Sequence, residues 1–280
     1  MRCFDCPRGC GAERDGGEVG FCGGGRLARI AKTVEPFTYE EPCLGTVTAV
    51  FFGGCSLKCS YCQNIAISRA AVGDEYSDAR LAELFDGAAY PLDLVTPTHY
   101  LSAIERALAL AEKPNRIIYN TSGYETADGT RRAAAFTDVF LADFKYADGA
   151  LAQRLSGAPD YFETASAALK IMRETEDEWA DMPDGKILTR GLVVRHLVLP
   201  GCVQNSLRVL DYIASALGTD TVISLMSQFT PNGEGEPRRK LGKLEYKVVK
   251  EHALKLGFKT GYFQAHESAS AAFTPDFRNS

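Results

Sequence analysis

Phe51-Phe52-Gly53-Gly54-Cys55-Ser56-Leu57-Lys58-Cys59-Ser60-Tyr61-Cys62-Gln63-Asn64 decides how this chain is read. Its cysteines are separated by three and then by two residues, and the apolar run Val47 to Phe52 leads into them. A strand that empties into a tight, cysteine-lined loop is the simplest local picture. Three thiolates so close in sequence can hold three corners of an iron–sulfur cube and leave the fourth iron without a protein ligand. An open metal site can bind and activate a small molecule, whereas a closed one mostly holds structure.

The chain has 280 residues, 45% hydrophobic and 24% charged, enough for one large α/β domain or two smaller ones. A net charge of -5 gives no electrostatic case for binding nucleic acid. No apolar run approaches the roughly eighteen residues that a membrane span needs. The start, Met1-Arg2-Cys3, carries no apolar stretch of signal-peptide type. A soluble, cytoplasmic protein is expected. Nine cysteines in a reducing compartment are poor disulfide candidates, and eight of them fall within the first 62 residues, which favours metal ligation.

Residues 1–42 are expected to form a small Cys-rich metal-binding module, with residues 43–280 as the main domain. Cys3, Cys6, Cys10 and Cys22 lie in a glycine-rich setting with few apolar residues. Such a segment cannot fold on burial alone and needs a metal or another staple. Four cysteines match a tetrahedral zinc site or a second iron–sulfur cluster, and their gaps do not choose between them. Cys43, after Pro42, is either a fifth thiol of this neighbourhood or a buried free cysteine.

From residue 46 onward strand-like runs alternate with helical spacing. Strands are expected at Thr46–Phe52, Leu92–Thr96, Arg116–Asn120, Val139–Phe144, Gly191–Leu199 and Val222–Met226, with a short last one within Phe258–Gln264. Helices are expected around Leu81–Ala88, Leu101–Ala111, Tyr161–Thr175, Val209–Ala216 and from Leu241 onward. The acidic stretch Glu176–Lys186 and the glycine-rich Pro231–Arg239 read as loops. The alternation predicts an α/β fold, a parallel β/α barrel, partial or complete, with an open doubly wound sheet as the alternative.

In a barrel the chemistry sits where the strands end, and polar residues gather there. They are Thr96, Thr98 and His99 after the second strand, Asn120 and Ser122 after the third, and Asp143 and Lys145 after the fourth. Gln228 follows the sixth strand. Asp143 and Lys145, two apart, share a face, while the successive Arg195 and His196 point to opposite faces, so one of them lines the interior.

The cysteine loop resembles the signature of the radical S-adenosylmethionine (SAM) superfamily. The stretches 53–64, 94–100, 119–124, 143–146, 194–201 and 273–277, with Cys6-Pro7-Arg8-Gly9-Cys10-Gly11, resemble its pyruvate formate-lyase-activating-enzyme-like branch over nearly the whole chain. The resemblance implies a partial (β/α)6 barrel with an N-terminal Cys-rich extension. It implies a [4Fe–4S] cluster on Cys55, Cys59 and Cys62 as the catalytic centre, whose open iron chelates the amino and carboxylate groups of SAM. Reductive cleavage of the sulfonium then gives a 5′-deoxyadenosyl radical that abstracts hydrogen from a substrate.

By the same resemblance Asp143 and Lys145 contact the ribose and the carboxylate. Tyr61, Thr96, Thr98, Asn120, Ser122, Arg195 and Gln228 complete the cofactor-binding set. Relatives often carry Gly-Gly-Glu where this chain has Thr96-Pro97-Thr98, and activating enzymes often carry a histidine where it has Gln228. The expected partners are a flavodoxin- or ferredoxin-type electron donor and a small-molecule or peptide substrate. The alternatives are a partner enzyme that receives a glycyl radical, or a non-catalytic iron–sulfur or zinc protein for electron transfer or binding.

Overall fold

The structure, a computed structural model, describes residues 2–112, 115–183, 185–231 and 235–265. The 273–277 stretch lies outside the described residues. In chain order the elements are β1 (Ala28–Thr38), β2 (Thr46–Phe52), α1 (Ile65–Ser68), β3 (Asp74–Tyr76), α2 (Asp78–Asp86), β4 (Leu92–Val95) and α3 (Leu101–Leu108). Then come β5 (Ile117–Thr121), α4 (Ala127–Ala134), β6 (Val139–Asp143), α5 (Gly149–Ser156), α6 (Tyr161–Met172), β7 (Glu178–Met182) and β8 (Gly185–Leu197). The last are α7 (Val203–Tyr212), β9 (Val222–Met226), α8 (Lys243–Leu256) and β10 (Gly261–Phe263).

The main sheet runs β10-β9-β8-β6-β5-β4-β2-β1-β3. Every pairing from β2 to β10 is parallel. These strands cross the sheet in chain order and the order never reverses. Right-handed crossovers therefore carry every connecting helix to one face. A doubly wound sheet reverses its order partway, so that alternative is excluded. The sheet curls into a partial barrel whose concave face is an interior.

Side-chain alternation fills both faces. Val47, Ala49 and Phe51 of β2 meet Val95, Ile118, Val139, Leu141, Val193 and Val222 in one interior cluster. Their neighbours Val50, Phe52, Leu92 and Leu94 pack outward with Leu81 and Phe85 of α2 and Ile104 of α3. A strand buried on both sides needs apolar residues at every position, which is why these strands read as continuous apolar runs.

Three features differ from the expectation. β1, within the segment assigned to the Cys-rich module, pairs antiparallel with β2, so the boundary expected at residue 42 follows a strand of the main sheet. Its Pro36, unfavourable inside a central strand, falls at a register shift between Val34 and Phe37. Glu176–Lys186, expected as a loop, contains β7 and the start of β8, paired as an antiparallel hairpin. Both faces of β7 are largely solvated, so it carries no apolar alternation to read. The helices α4 and α5 also escaped the apolar spacing; their N-caps Thr126 and Asp148 accept hydrogen bonds from Gly129 N and Leu151 N. Among the described residues no helix is long and apolar enough to cross a membrane.

The N-terminal extension is seated on the loop that follows β2. Gly54 has φ +89°, and a Cβ there would lie 2.4 Å from the Cys22 carbonyl oxygen and 3.2 Å from His99 Nε2. Arg8 ties the extension to the same loop and to the end of α5, donating to the carbonyls of Ser56 at 2.7 Å and Gly157 at 2.6 Å. Gly54→Ala is therefore expected to destabilise the protein by about 2–4 kcal/mol, through the left-handed backbone and the close approach together. Chemical denaturation of the variant beside the parent checks this, and equal midpoints refute it.

Candidate active site

The loop after β2 carries Cys55, Cys59 and Cys62 to the carboxyl end of the barrel. Each sulfur receives a hydrogen bond. Leu57 N donates to Cys55 Sγ at 3.3 Å, Ser156 Oγ to Cys59 Sγ at 3.0 Å, and Ser68 Oγ to Cys62 Sγ at 3.3 Å. The Cys59 contact heads a relay, because Tyr146 Oη lies 2.6 Å from Ser156 Oγ and Tyr61 Oη lies 2.6 Å from Tyr146 Oη. With Ser156 donating to sulfur, each hydroxyl donates to the next, so all the O–H dipoles point toward Cys59.

Burial and the neighbouring cysteines push the Cys55 thiol up to about 12. Burial also raises Cys59, against the opposing pull of Lys145. Thiolates at these positions need compensating positive charge, which a metal centre supplies on binding. Among the described residues no group of three His, Cys, Asp or Glu side chains is arranged to hold one metal ion. A cube makes no such demand, since each thiolate binds a different iron. The donors on all three sulfurs and this spread fit a cluster on Cys55, Cys59 and Cys62.

Facing the loop is a charged network. Asp143, at the end of β6, forms ion pairs with Lys145 and with Arg195 of β8, whose Nε lies 2.9 Å from Asp143 Oδ1. Arg195 Nη2 also donates to Asn120 Oδ1 at 2.6 Å. Asn120 Nδ2 donates to Asp93 Oδ2 at 3.3 Å and to Tyr39 Oη at 3.2 Å, and the Tyr39 hydroxyl donates to Asp93. Burial pushes Asp143 up, but Lys145 and Arg195 outweigh it and hold the carboxyl below its ordinary range. Burial pushes Asp93 up to about 6, against the hydrogen bonds from Tyr39 and Asn120.

One cavity is lined by Cys55, Cys59, Tyr61, Cys62, Thr96, Asn120, Ser122, Asp143, Lys145, Arg195 and Gln228. Arg195 is the member of its pair that faces inward. His196 is buried on the outer side, with Nδ1 2.7 Å from the Phe144 carbonyl and Nε2 2.9 Å from Ser206 Oγ. Thr98 does not line this cavity; it is buried and donates to Glu125 Oε1 at 2.6 Å. Tyr39, Glu40 and Gln63 also line it and were not anticipated. Tyr39 and Glu40 precede β2 in a stretch whose pairing the sequence did not disclose. Cys43 is fully buried in the interior cluster.

The arrangement suits a ligand with both an amino-acid end and a sugar. Asp143 offers acceptors for hydroxyls, Lys145 offers N–H donors to a carboxylate, and Asn120 and Ser122 offer polar groups of both kinds.

A curled, singly wound α/β sheet with three clustered thiols at its open end defines a class, and solved structures give that class a fold. A radical SAM methyltransferase from Sphaerobacter thermophilus superposes with a TM-score of 0.52 at 15% identity, over 80% of this chain and 69% of its own. The chain has the radical SAM fold, as the cysteine loop implied. A domain of a pyruvate-formate lyase-activating enzyme from Bacteroides vulgatus aligns at a TM-score of 0.40 and 12% identity, over 54% of this chain and 82% of its own. An uncharacterized protein of Methanocaldococcus jannaschii is 25% identical over 92% of this chain and 74% of its own length. No protein-family model matches the chain.

Glu125 gives the rim of the site a pH dependence. Its Oε1 accepts from Thr98 and from Thr121, the latter at 2.5 Å, while Oε2 is buried without a hydrogen-bond partner among the described residues. Burial pushes the carboxyl up to about 7 despite those donors. Its stabilising contribution is full below the unfolded value of about 4.3 and is lost as pH rises through about 7. Glu125→Gln cannot ionise. Its stability relative to the parent is expected to rise by on the order of 2–3 kcal/mol from pH 4 to pH 8. Denaturation midpoints at several pH values check this; parallel profiles refute it.

Proposed function

We propose that the protein is a radical SAM enzyme that abstracts hydrogen from a small-molecule or peptide substrate. The observation that carries this reading is the shared cavity: three hydrogen-bonded thiols on one wall and the Lys145–Asp143–Arg195 array on another. Bound at these residues, a [4Fe–4S] cluster and SAM would supply reductive sulfonium cleavage and a carbon-centred radical for hydrogen abstraction. The remaining work belongs to the chain.

Ser156, Ser68 and the Leu57 amide favour the thiolate form of the three cysteines by donating to sulfur. Asp143 stays ionised at neutral pH and accepts from ribose hydroxyls. Lys145, beside Cys59, donates to the carboxylate of the methionine moiety. Arg195 holds Asp143 and Asn120 in register. Leu57, Val95, Leu197 and Met226 line the same cavity and exclude water from a reactive intermediate. Glu40 also faces this space, and among the described residues its Oε1 is buried without a hydrogen-bond partner. That atom offers an acceptor to a substrate hydroxyl or ammonium, which favours a small polar substrate over a partner's glycine loop. A one-electron donor of flavodoxin or ferredoxin type would supply the reducing equivalent.

Anaerobically reconstituted protein with reductant is expected to convert SAM to 5′-deoxyadenosine and methionine, and Cys59→Ala to abolish this. Product formation at the parental rate in the variant would refute the cluster assignment. Lys145→Ala is expected to weaken SAM binding about 10- to 100-fold, the loss of one hydrogen bond between charged groups. Calorimetric titration with SAM reads that change. Deuterium passing from a labelled small molecule into 5′-deoxyadenosine supports the direct reading. Deuterium arriving only from a glycine of a partner enzyme replaces it with the activating one.

A further inference from the structure

We infer that Cys3, Cys6, Cys10 and Cys22 hold a second, four-iron iron–sulfur cluster. The four thiols form a closed ring. Cys3 has Cys6 and Cys10 as electrostatic neighbours, and Cys6 has Cys3 and Cys22. Cys10 and Cys22 close the ring across Gly20, where a Cβ would lie 3.2 Å from Cys10 Sγ and 3.5 Å from Cys22 Sγ. Only a residue without a side chain leaves the space between those sulfurs open.

The backbone around the ring is already shaped for thiolate ligands. Gly24 N donates to Cys22 Sγ at 3.3 Å, two residues further on, as Leu57 N does to Cys55 Sγ. Burial raises the Cys3 and Cys6 thiols, and the amides of Asp5 and Arg8, two residues further on, pull the other way; those of Ala12 and Phe21 do so at Cys10. Convergent N–H donors favour negative charge on sulfur, the form in which cysteine binds metal. Arg14 adds a nearly buried cation, with Nη2 3.4 Å from Cys22 Sγ. Four irons with four thiolates carry net negative charge, which a buried guanidinium complements.

Packing does not explain why this segment is ordered. Among the described residues 2–27, the buried apolar side chains are Cys6, Ala12 and Cys22, while Phe4, Val19 and Phe21 are exposed at 61%, 65% and 44%. Fixing one residue's backbone costs about 1–2 kcal/mol, which three small buried side chains offset only in part. A metal centre supplies a further favourable term of folding free energy.

Geometry also selects the kind of centre. A tetrahedral zinc with bonds of about 2.3 Å draws its sulfurs to about 3.8 Å from one another. Among the described residues no three such ligands are so gathered, here or at Cys55, Cys59 and Cys62. A cube separates its thiolates, one to each iron. The ring and the active-site loop thus share one signature, donors on sulfur without convergence on a single ion.

The test uses the full chain, produced and handled without oxygen, with iron, acid-labile sulfide and zinc measured per chain. In a Cys55→Ala/Cys59→Ala/Cys62→Ala triple variant about four irons and four sulfides are expected to remain, with visible charge-transfer absorbance and no stoichiometric zinc. The parent is expected to hold about twice that iron. Cys6→Ala/Cys22→Ala is expected to lose about four irons. If that variant precipitates, the triple variant decides alone. One zinc, two irons or no metal in the soluble triple variant overturns the inference. This readout is independent of SAM cleavage, so it stands or falls apart from the proposed reaction.

Discussion

The ion pairs of Asp143 with Lys145 and Arg195 set the geometry of the barrel mouth. Placing charges in a largely buried setting costs several kcal/mol per ion unless partners and hydrogen bonds replace water. Asp143 meets that condition with one cation on each oxygen. Arg195 extends the array to Asn120, and Asn120 extends it to Asp93 and Tyr39. Strands β4, β5, β6 and β8 and the segment before β2 are thereby fixed to one another by polar contacts at the level where apolar packing gives way. Lys145 and Arg195 flank the one paired carboxylate, and Glu40 faces the same cavity.

That array works because the parallel strands all deliver their carboxyl ends to the same rim. Strand order and crossover handedness determine the rim before any side chain is chosen. Local strain collects there too. Thr96, at the end of β4, has φ +62°, an unfavourable conformation for a β-branched residue. Its amide is held by the Asn120 carbonyl at 2.8 Å, so pairing with β5 keeps the backbone in place. The outlier lines the cavity.

The parallel strands were legible because a strand buried on both faces must be apolar throughout, as Val47–Phe52 and Val222–Met226 are. The cavity-lining residues were legible where they are polar and end such a strand, as Asn120, Asp143 and Lys145 do. Legibility failed where local chemistry and tertiary role disagree. Strand β1 was not anticipated; it contains Pro36, which falls at a register shift. Thr98 has the same character as Thr96, but two residues on the chain has turned away and its hydroxyl serves Glu125. Tyr39 and Glu40 carry no local mark, because they reach the cavity through the pairing of β1 with β2, a contact between segments. Ser68 and Ser156 are ordinary serines until the fold brings them to sulfur.

Sulfur donors and sulfur spacing carry different information, and both are properties of the fold. Cysteine spacing along a chain limits which loops can form but leaves open whether the thiolates converge on one ion or stand apart. Donors to sulfur favour negative charge on it. At Cys55, Cys59 and Cys62 the donors come from two distant serines and one amide, so the loop's electronic character depends on α1 and α5 being in place. At Cys22 the donor is the chain's own Gly24 amide, and the Cys22 carbonyl in turn rests against Gly54 beside the cysteine loop. A perturbation of the extension therefore reaches the cysteine loop through backbone contact, which the flexibility of side chains cannot absorb.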